Sequence, residues 1–163
     1  LYKKMPGKTR HRPENCLVFA HRGANTEALE NTRNAFDKAL GYAIDGIETD
    51  VQLSRDEIAV LWHDRFLDRI GLSDKHIDDF DFHQLKALIN PESESEGIMT
   101  LQEFLVAYRE RCRLLLEIKN REPKLAVVLI NPGAATDDLL ELYDRIDGAH
   151  QDDVADVPRI HAR

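Results

Sequence analysis

The chain has 163 residues, 42% of them hydrophobic, which is enough for one globular domain with its own core. It carries 30 acidic against 22 basic residues and a formal net charge of -8, so nucleic acid and anionic membranes are not expected as partners. Two cysteines, Cys16 and Cys112, are too few for a disulfide framework. The longest apolar run outside the expected strands, residues 125–130, is far shorter than the roughly 20 residues of a membrane span. We therefore expect no membrane span, and the cytoplasm as the default location.

Two segments of different composition come first. Residues 1–16 are basic, contain proline and glycine, and show no periodicity, which predicts a flexible arm ahead of one domain over residues 17–163. Residues 17–23 form a short apolar run that leads into a loop, and this predicts the first strand. A helix is then predicted from Asn31 or Thr32 as the N-cap to Gly41.

Three more strands and two helical segments follow. Residues 46–53 alternate between apolar and polar side chains, while residues 58–63 and 114–119 are apolar runs that end in polar groups. Helices are predicted at residues 82–88 and from Thr100 through about Arg111. Strands that alternate with helices predict an α/β fold with a parallel sheet. Beyond Arg121 no clear fifth strand is predicted, and an acidic helix is predicted to begin at Thr136.

Polar groups mark the end of each of the four predicted strands. The carboxyl ends of parallel strands share one edge, which is where barrels and open α/β sheets place their functional sites. Residues two apart on a strand point to the same side, so each pair on the second and fourth strands faces one way. The four groups are His21 with Arg22, Glu48 with Asp50, His63 with Asp64, and Glu117 with Lys119.

Three of these residues are carboxylates whose convergence has a chemical consequence. Glu48, Asp50 and Glu117 would repel one another and raise their pKa values unless a cation lay among them. Oxygen ligands alone favour Mg²⁺ or Ca²⁺ over Zn²⁺. The sequence therefore predicts one divalent metal ion at this edge of the sheet.

The remaining groups suit a phosphate ester. His21 and His63 are candidates for general acid and base, and Arg22 and Lys119 for binding an anionic group. Simpler interpretations stay open: the two cations pair with the acids, and the acids form a solvated strand face. For Asp64 the alternatives are orienting His63, capping the next helix, or pairing with Arg65 or Arg69.

Short motifs in a fixed order connect these residues to a known family. They are HRG (21–23), ENT (30–32), ExD (48–50), HD (63–64), TLxEFL (100–105) and ExK (117–119). Over residues 17–120 the chain resembles the glycerophosphodiester phosphodiesterase family.

The resemblance implies a fold, a reaction and a set of roles. It implies a (β/α)₈ TIM-type barrel and metal-dependent hydrolysis of glycerophosphodiesters to glycerol 3-phosphate and an alcohol. It also implies attack on the metal-bound phosphorus, either directly or first by the substrate's own glycerol hydroxyl, which forms a cyclic phosphate. By position, His21 and His63 are the acid and base, Glu48, Asp50 and Glu117 are the metal ligands, and Arg22 and Lys119 bind the phosphate.

The chain departs from the family pattern in length and at three loop positions. Leu29 and Met99 stand where prolines are usual, and Asp56-Glu57 replaces an Asp-Gly turn. A complete barrel takes about 250 residues, so only the first half, about four βα units, is expected here. Such a half exposes two sheet edges, which would allow self-association. The alternatives are a related barrel phosphodiesterase that acts on lysophospholipids, and a catalytically inactive half-barrel that serves as an interaction domain.

Overall fold

The computed structural model describes residues 16–89, 92–119 and 126–134, and within them the chain forms seven strands and three α-helices. The strands are β1 (Phe19–His21), β2 (Gly46–Leu53), β3 (Ala59–Leu61), β4 (Phe66–Leu67), β5 (Leu72–His76), β6 (Arg113–Ile118) and β7 (Ala126–Ile130). The helices are α1 (Arg33–Ala39), α2 (Phe82–Leu88) and α3 (Leu101–Tyr108), and 3₁₀ turns cover Asp68–Ile70 and Ile77–Asp79. The predicted basic arm, apart from Cys16, and the predicted acidic helix lie outside the described residues.

Strand β2 is the centre of the main sheet. It pairs in parallel with β1 on one side and with β6 on the other, in a register that sets His21 beside Glu48 and Asp50 beside Glu117. Strand β3 pairs with the far half of β2, and the backbone N–H of Trp62 then donates to the carbonyl of Asp50. The carboxyl ends of β1, β2 and β6 therefore meet, and the chain after β3 returns to the same place.

The direction of β3 corrects the prediction of four parallel strands. Strand β3 is antiparallel to β2, because the link over residues 54–58 is far shorter than the dozen or more residues of a parallel crossover. In that link Glu57 has a φ of 62°, a left-handed conformation that glycine adopts more easily. This is the cost of having Asp56-Glu57 in place of Asp-Gly.

A fifth main-sheet strand corrects a second prediction. The sequence predicts no clear strand beyond Arg121, yet β7 pairs antiparallel with residues 114–118 of β6. Its residues are apolar and partly β-branched, which suits a pleated strand, and Val127 and Leu129 are exposed while Ile130 is buried. Strand β7 thus occupies the free edge of β6.

Two apolar clusters support the sheet. The larger one packs α1 and α3 against β2 and β6, with Phe36, Phe104 and Tyr108 in mutual aromatic contact. The smaller one contains Trp62 and lies under the β4–β5 hairpin and α2. The predicted caps are present, since Thr32 Oγ1 accepts from the N–H of Ala35 and Thr100 forms a capping box with Glu103. Helix α3 ends at Tyr108, three residues before the predicted end.

No helix in the described ranges combines the length and the apolar composition that crossing a membrane requires.

Candidate active site

The turn after β1 presents a backbone donor to the site. Arg22 has a φ of 59° and Gly23 a φ of 82°, so two successive residues are left-handed. In this conformation the N–H of Arg22 donates to the carbonyl of Glu48 at 2.9 Å and to its carboxylate Oε2 at 3.1 Å. A Cβ on Gly23 would lie 2.7 Å from the backbone carbon of Ala35, so the close approach of α1 requires glycine here.

Three carboxylates converge beside this turn. One oxygen each from Glu48, Asp50 and Glu117 lies within 4.8 Å of the others. Glu48 and Asp50 are buried, at 9% and 0% exposure, and Glu117 is half-buried. The two-residue spacing on β2 and the register with β6 bring the three together, as the sequence analysis expects.

Two cations neutralise part of this cluster. Arg22 Nε lies 3.1 Å from Asp50 Oδ2, and Lys119 Nζ lies 3.2 Å from Asp50 Oδ1 and in direct contact with Glu117. The salt-bridge interpretation of Arg22 and Lys119 therefore holds in this structure. Three carboxylates still outnumber two cations, and Asp50 Oδ1 is buried without a hydrogen bond of good geometry.

Burial and nearby charges change the titration of two groups at the site. Burial, and next the charge of Asp50, raise the pKa of Glu48 from 4.5 to about 7. Burial, and next the charge of Arg22, lower the pKa of His21 below its usual 6.5. His21 Nε2 lies 3.8 Å from Glu48 Oε2, and its side chain is 61% exposed. At neutral pH the ring of His21 is therefore mainly uncharged.

The second histidine is held by a carboxylate. His63 Nδ1 lies 2.8 Å from Asp64 Oδ1, and Asp64 Oδ2 lies 3.2 Å from Arg69 Nε. Burial raises the pKa of Asp64, but the hydrogen bond with His63 and the charge of Arg69 outweigh it and lower the pKa below its usual value. Asp64 thus both orients His63 and pairs with Arg69, two of the three alternatives set out above.

The described residues fit a divalent cation. The donors are all carboxylate oxygens, which is the set that Mg²⁺ and Ca²⁺ prefer. Three carboxylates share the two cations, and burial together with the charge of Asp50 raises the pKa of Glu48, so one more positive charge would be favourable there. The acidic cluster can hold a metal ion, and the choice between the two metals belongs to the proposal below.

Comparison with known proteins decides the family. A model of the "Glycerophosphoryl diester phosphodiesterase family" matches residues 21–155, which is most of the chain. The chain belongs to this family. Every motif residue discussed above lies within the matched range.

Individual members of the family agree. The glycerophosphodiester phosphodiesterase of Caldanaerobacter subterraneus is 42% identical over 110 residues, which cover 64% of this chain and 45% of that protein. A mouse protein named lysophospholipase D is 30% identical over 119 residues, covering 66% of this chain and 36% of its own length. This chain therefore spans about half the length, or less, of these relatives.

Solved structures of the family support the fold. A glycerophosphodiester phosphodiesterase from Thermotoga maritima superposes with a TM-score of 0.59 at 32% identity, covering 82% of this chain and 52% of that one. A phosphodiesterase from Oleispira antarctica, solved with the product sn-glycerol-3-phosphate, gives 0.52 at 33% identity, covering 64% and 44%. The family structures are TIM barrels, and the described residues cover part of such a barrel without closing one.

From the sequence, Glu30, Asn31 and Gln52 were given no part in the site, and Arg69 was named only as a possible partner of Asp64. Asn31 donates to Asp50 Oδ2 and accepts from Thr49, and Gln52 donates to the carbonyls of residues 62–64. Glu30 and Arg69 form an ion pair at 2.9 Å. The ENT motif contains Glu30 and Asn31, and the alternation of β2 places Gln52 on the site face. The motif and the alternation are visible in the sequence, but they do not indicate which residues these side chains contact.

Proposed function

We propose that this chain hydrolyses glycerophosphodiesters to glycerol 3-phosphate and an alcohol with the help of one divalent cation, Mg²⁺ or Ca²⁺. The observation that carries the proposal is the convergence of Glu48, Asp50 and Glu117 within 4.8 Å, beside Arg22 and Lys119. Membership of the family and the product complex of the Oleispira relative support the choice of substrate.

Glu48, Asp50 and Glu117 are the residues that would hold the cation. A bound divalent ion supplies positive charge that polarises a phosphoryl oxygen and stabilises negative charge in the transition state. The chain contributes a fixed set of oxygens, since Arg22 N–H holds Glu48 and Asn31 holds Asp50. Because these partners hold Glu48 and Asp50 before the cation arrives, these two side chains need little reorganisation on binding.

Arg22 and Lys119 are the proposed phosphate-binding residues. Both side chains reach the carboxylate cluster from partly open positions, at 16% and 25% exposure. A cation among the carboxylates would take over much of the charge balance that these two side chains now provide. Their N–H groups would then be available for the non-bridging oxygens of a phosphodiester.

His21 and His63 are the proposed proton carriers. One ring removes the proton of the attacking hydroxyl, which belongs to water or to the substrate's own glycerol, as a new P–O bond forms. The P–O bond to the alcohol breaks, and the other ring donates a proton to the departing oxygen. The lowered pKa of His21 keeps that ring largely neutral at neutral pH, as a base requires.

A second substrate class has one observation in its favour. The mouse relative that bears the name lysophospholipase D is 30% identical to this chain. A lysophospholipid differs from a glycerophosphodiester by one acyl chain on the same phosphodiester core. The metal-binding, phosphate-binding and proton-carrying residues proposed above would contact only the shared core, so both substrates suit the same chemistry.

The test is release of glycerol 3-phosphate from glycerophosphocholine by the 163-residue chain with Mg²⁺ or Ca²⁺, with a chelator, and beside His21→Ala. We expect turnover that needs the metal and is lost in the variant. Lysophosphatidylcholine in a parallel assay separates the two substrate classes. Folded protein without turnover on either substrate would overturn the proposal and favour the inactive half-barrel.

We also propose a cytoplasmic location and self-association through sheet edges. Both rest on the sequence alone, and size-exclusion chromatography with light scattering tests the second. In the described residues β7 covers the edge of β6, so β7 rather than β6 is an outer strand that such an association would use.

A further inference from the structure

A chain of ion pairs links the two ends of the site. Arg22 Nη1 lies 3.3 Å from Glu30 Oε2, and Arg69 Nη2 lies 2.9 Å from Glu30 Oε1. Arg69 also bonds Asp64, which holds His63. The series therefore runs without a break from the proposed phosphate-binding arginine to the proposed proton carrier.

Arg69 is held in place by contacts with three side chains. Its guanidinium lies 4.6 Å from the ring centre of Trp62, a cation–π contact, while its Nη2 contacts Glu30 and its Nε contacts Asp64. Because one planar group contacts both carboxylates, Arg69 fixes the distance between Glu30 and Asp64.

The position of Asp64 also decides which nitrogen of His63 carries the proton. An ionised carboxylate can only accept hydrogen bonds, so His63 Nδ1 must donate across the 2.8 Å contact. In the neutral ring Nε2 then has the free lone pair. This nitrogen is the one that can take a proton from a hydroxyl group.

We propose that Glu30, Arg69 and Asp64 are positioning residues that tie His63 to Arg22 and hold His63 with its proton on Nδ1. Glu30 connects Arg22 to Arg69, because its two carboxylate oxygens contact the two arginines. None of the three touches the reacting atoms. The inference rests on the proposed function for its kinetic part, whereas the tautomer of His63 is a property of the free protein.

The kinetic test is a double-variant cycle with Glu30→Gln and Arg69→Met. Each single variant should lower kcat about tenfold with little change in KM, and the double variant should lose no more, because the residues act as one unit. Matched controls are Glu27→Gln in the same loop and Arg65→Met in the same turn, both exposed and outside the series. Additive losses, or losses equal to the controls, would overturn the proposal.

The second test needs no activity. Long-range ¹H–¹⁵N NMR of the metal-free chain should show His63 with its proton on Nδ1, and Arg69→Met should give a mixture of both tautomers. A wild-type ring protonated on Nε2, or an unchanged spectrum in the variant, contradicts the inference. If the wild-type chain shows no turnover, the proposed function fails, and the NMR result still decides the role of this series.

Discussion

The two histidines of the site are held in different ways. The side chain of His21 is 61% exposed, and its Nε2 is 3.8 Å from Glu48, too far for a hydrogen bond. The side chain of His63 is 31% exposed and bonds Asp64 at 2.8 Å. His21 takes its place from the backbone turn at Arg22 and Gly23, whereas His63 takes its place from a series of side chains.

Because the two histidines are held in different ways, different substitutions should displace each of them. A change in the turn after β1 should displace His21 and leave the hydrogen bond of His63 intact. A change at Asp64 or Arg69 should do the reverse. In the proposed reaction both histidines act on a substrate that needs the carboxylate cluster, so loss of that cluster should have the largest effect on activity.

Loss of a proposed metal ligand should abolish activity whatever the state of the histidines. Asp50→Asn keeps the shape of the side chain but removes the most buried charge of the cluster. We expect kcat/KM to fall by at least about 10³-fold and the affinity for Mg²⁺ or Ca²⁺ to fall with it. Release of glycerol 3-phosphate and calorimetric metal binding measure the two, with the exposed Asp74→Asn as the matched control. Full metal affinity in Asp50→Asn would exclude Asp50 as a ligand.

Removal of either imidazole ring should have the next largest effect on activity, and chemical rescue distinguishes the two histidines. His21→Ala and His63→Ala should each lower kcat by about 10²–10⁴-fold. Added imidazole should restore His21→Ala more than His63→Ala, because the space left by His21 is open to solvent and has no partner that requires a fixed ring orientation. Rates over a series of imidazole concentrations measure this. Equal rescue of the two variants would show that their surroundings are equivalent.

The turn that places His21 gives a smaller effect, on stability. Gly23→Ala should cost about 2–5 kcal/mol of unfolding free energy, because alanine disfavours a φ of 82° and its Cβ would meet the backbone of Ala35. Gly71→Ala is the matched control: its φ is 79° and nothing lies within 4 Å of the added Cβ, so about 1–2 kcal/mol is expected. Urea unfolding measures both. Equal losses would mean that the contact with α1 does not matter.

Much of this site follows from strand geometry and could be predicted from the sequence. The alternation of β2 places Glu48 and Asp50 on one face, and the ExK motif in a parallel neighbour brings Glu117 to them. The α-helix caps at Thr32 and Thr100 could also be predicted from the sequence. These features depend on residues close together in the sequence or on the one pairing that the family motifs imply.

Two features of the main sheet were not predicted: the direction of β3 and the presence of β7. The link before β3 is too short for a parallel crossover, so its length indicates that β3 runs antiparallel to β2. For β7 the apolar run was visible, but its pairing with β6 depends on a distant contact that no local pattern records. The same holds for the bond between Glu30 and Arg69, which joins residues 39 positions apart.

The pH dependence of stability should distinguish the cluster from both histidines. The folded-state pKa of Glu48, about 7, is above its ordinary 4.5, so its proton stabilises the metal-free fold fully below pH 4.5 and this contribution is lost as pH rises through 7. Urea unfolding at about pH 5 and pH 8 should show the wild-type chain losing more stability with rising pH than Glu48→Gln, which cannot ionise. Saturating Mg²⁺ or Ca²⁺ should reduce the loss, because the cation replaces the proton as the partner of the carboxylate. Identical pH profiles for the wild-type chain and Glu48→Gln would show that the cluster tolerates its own negative charge, and the electrostatic reason for a metal ion at this site would be lost.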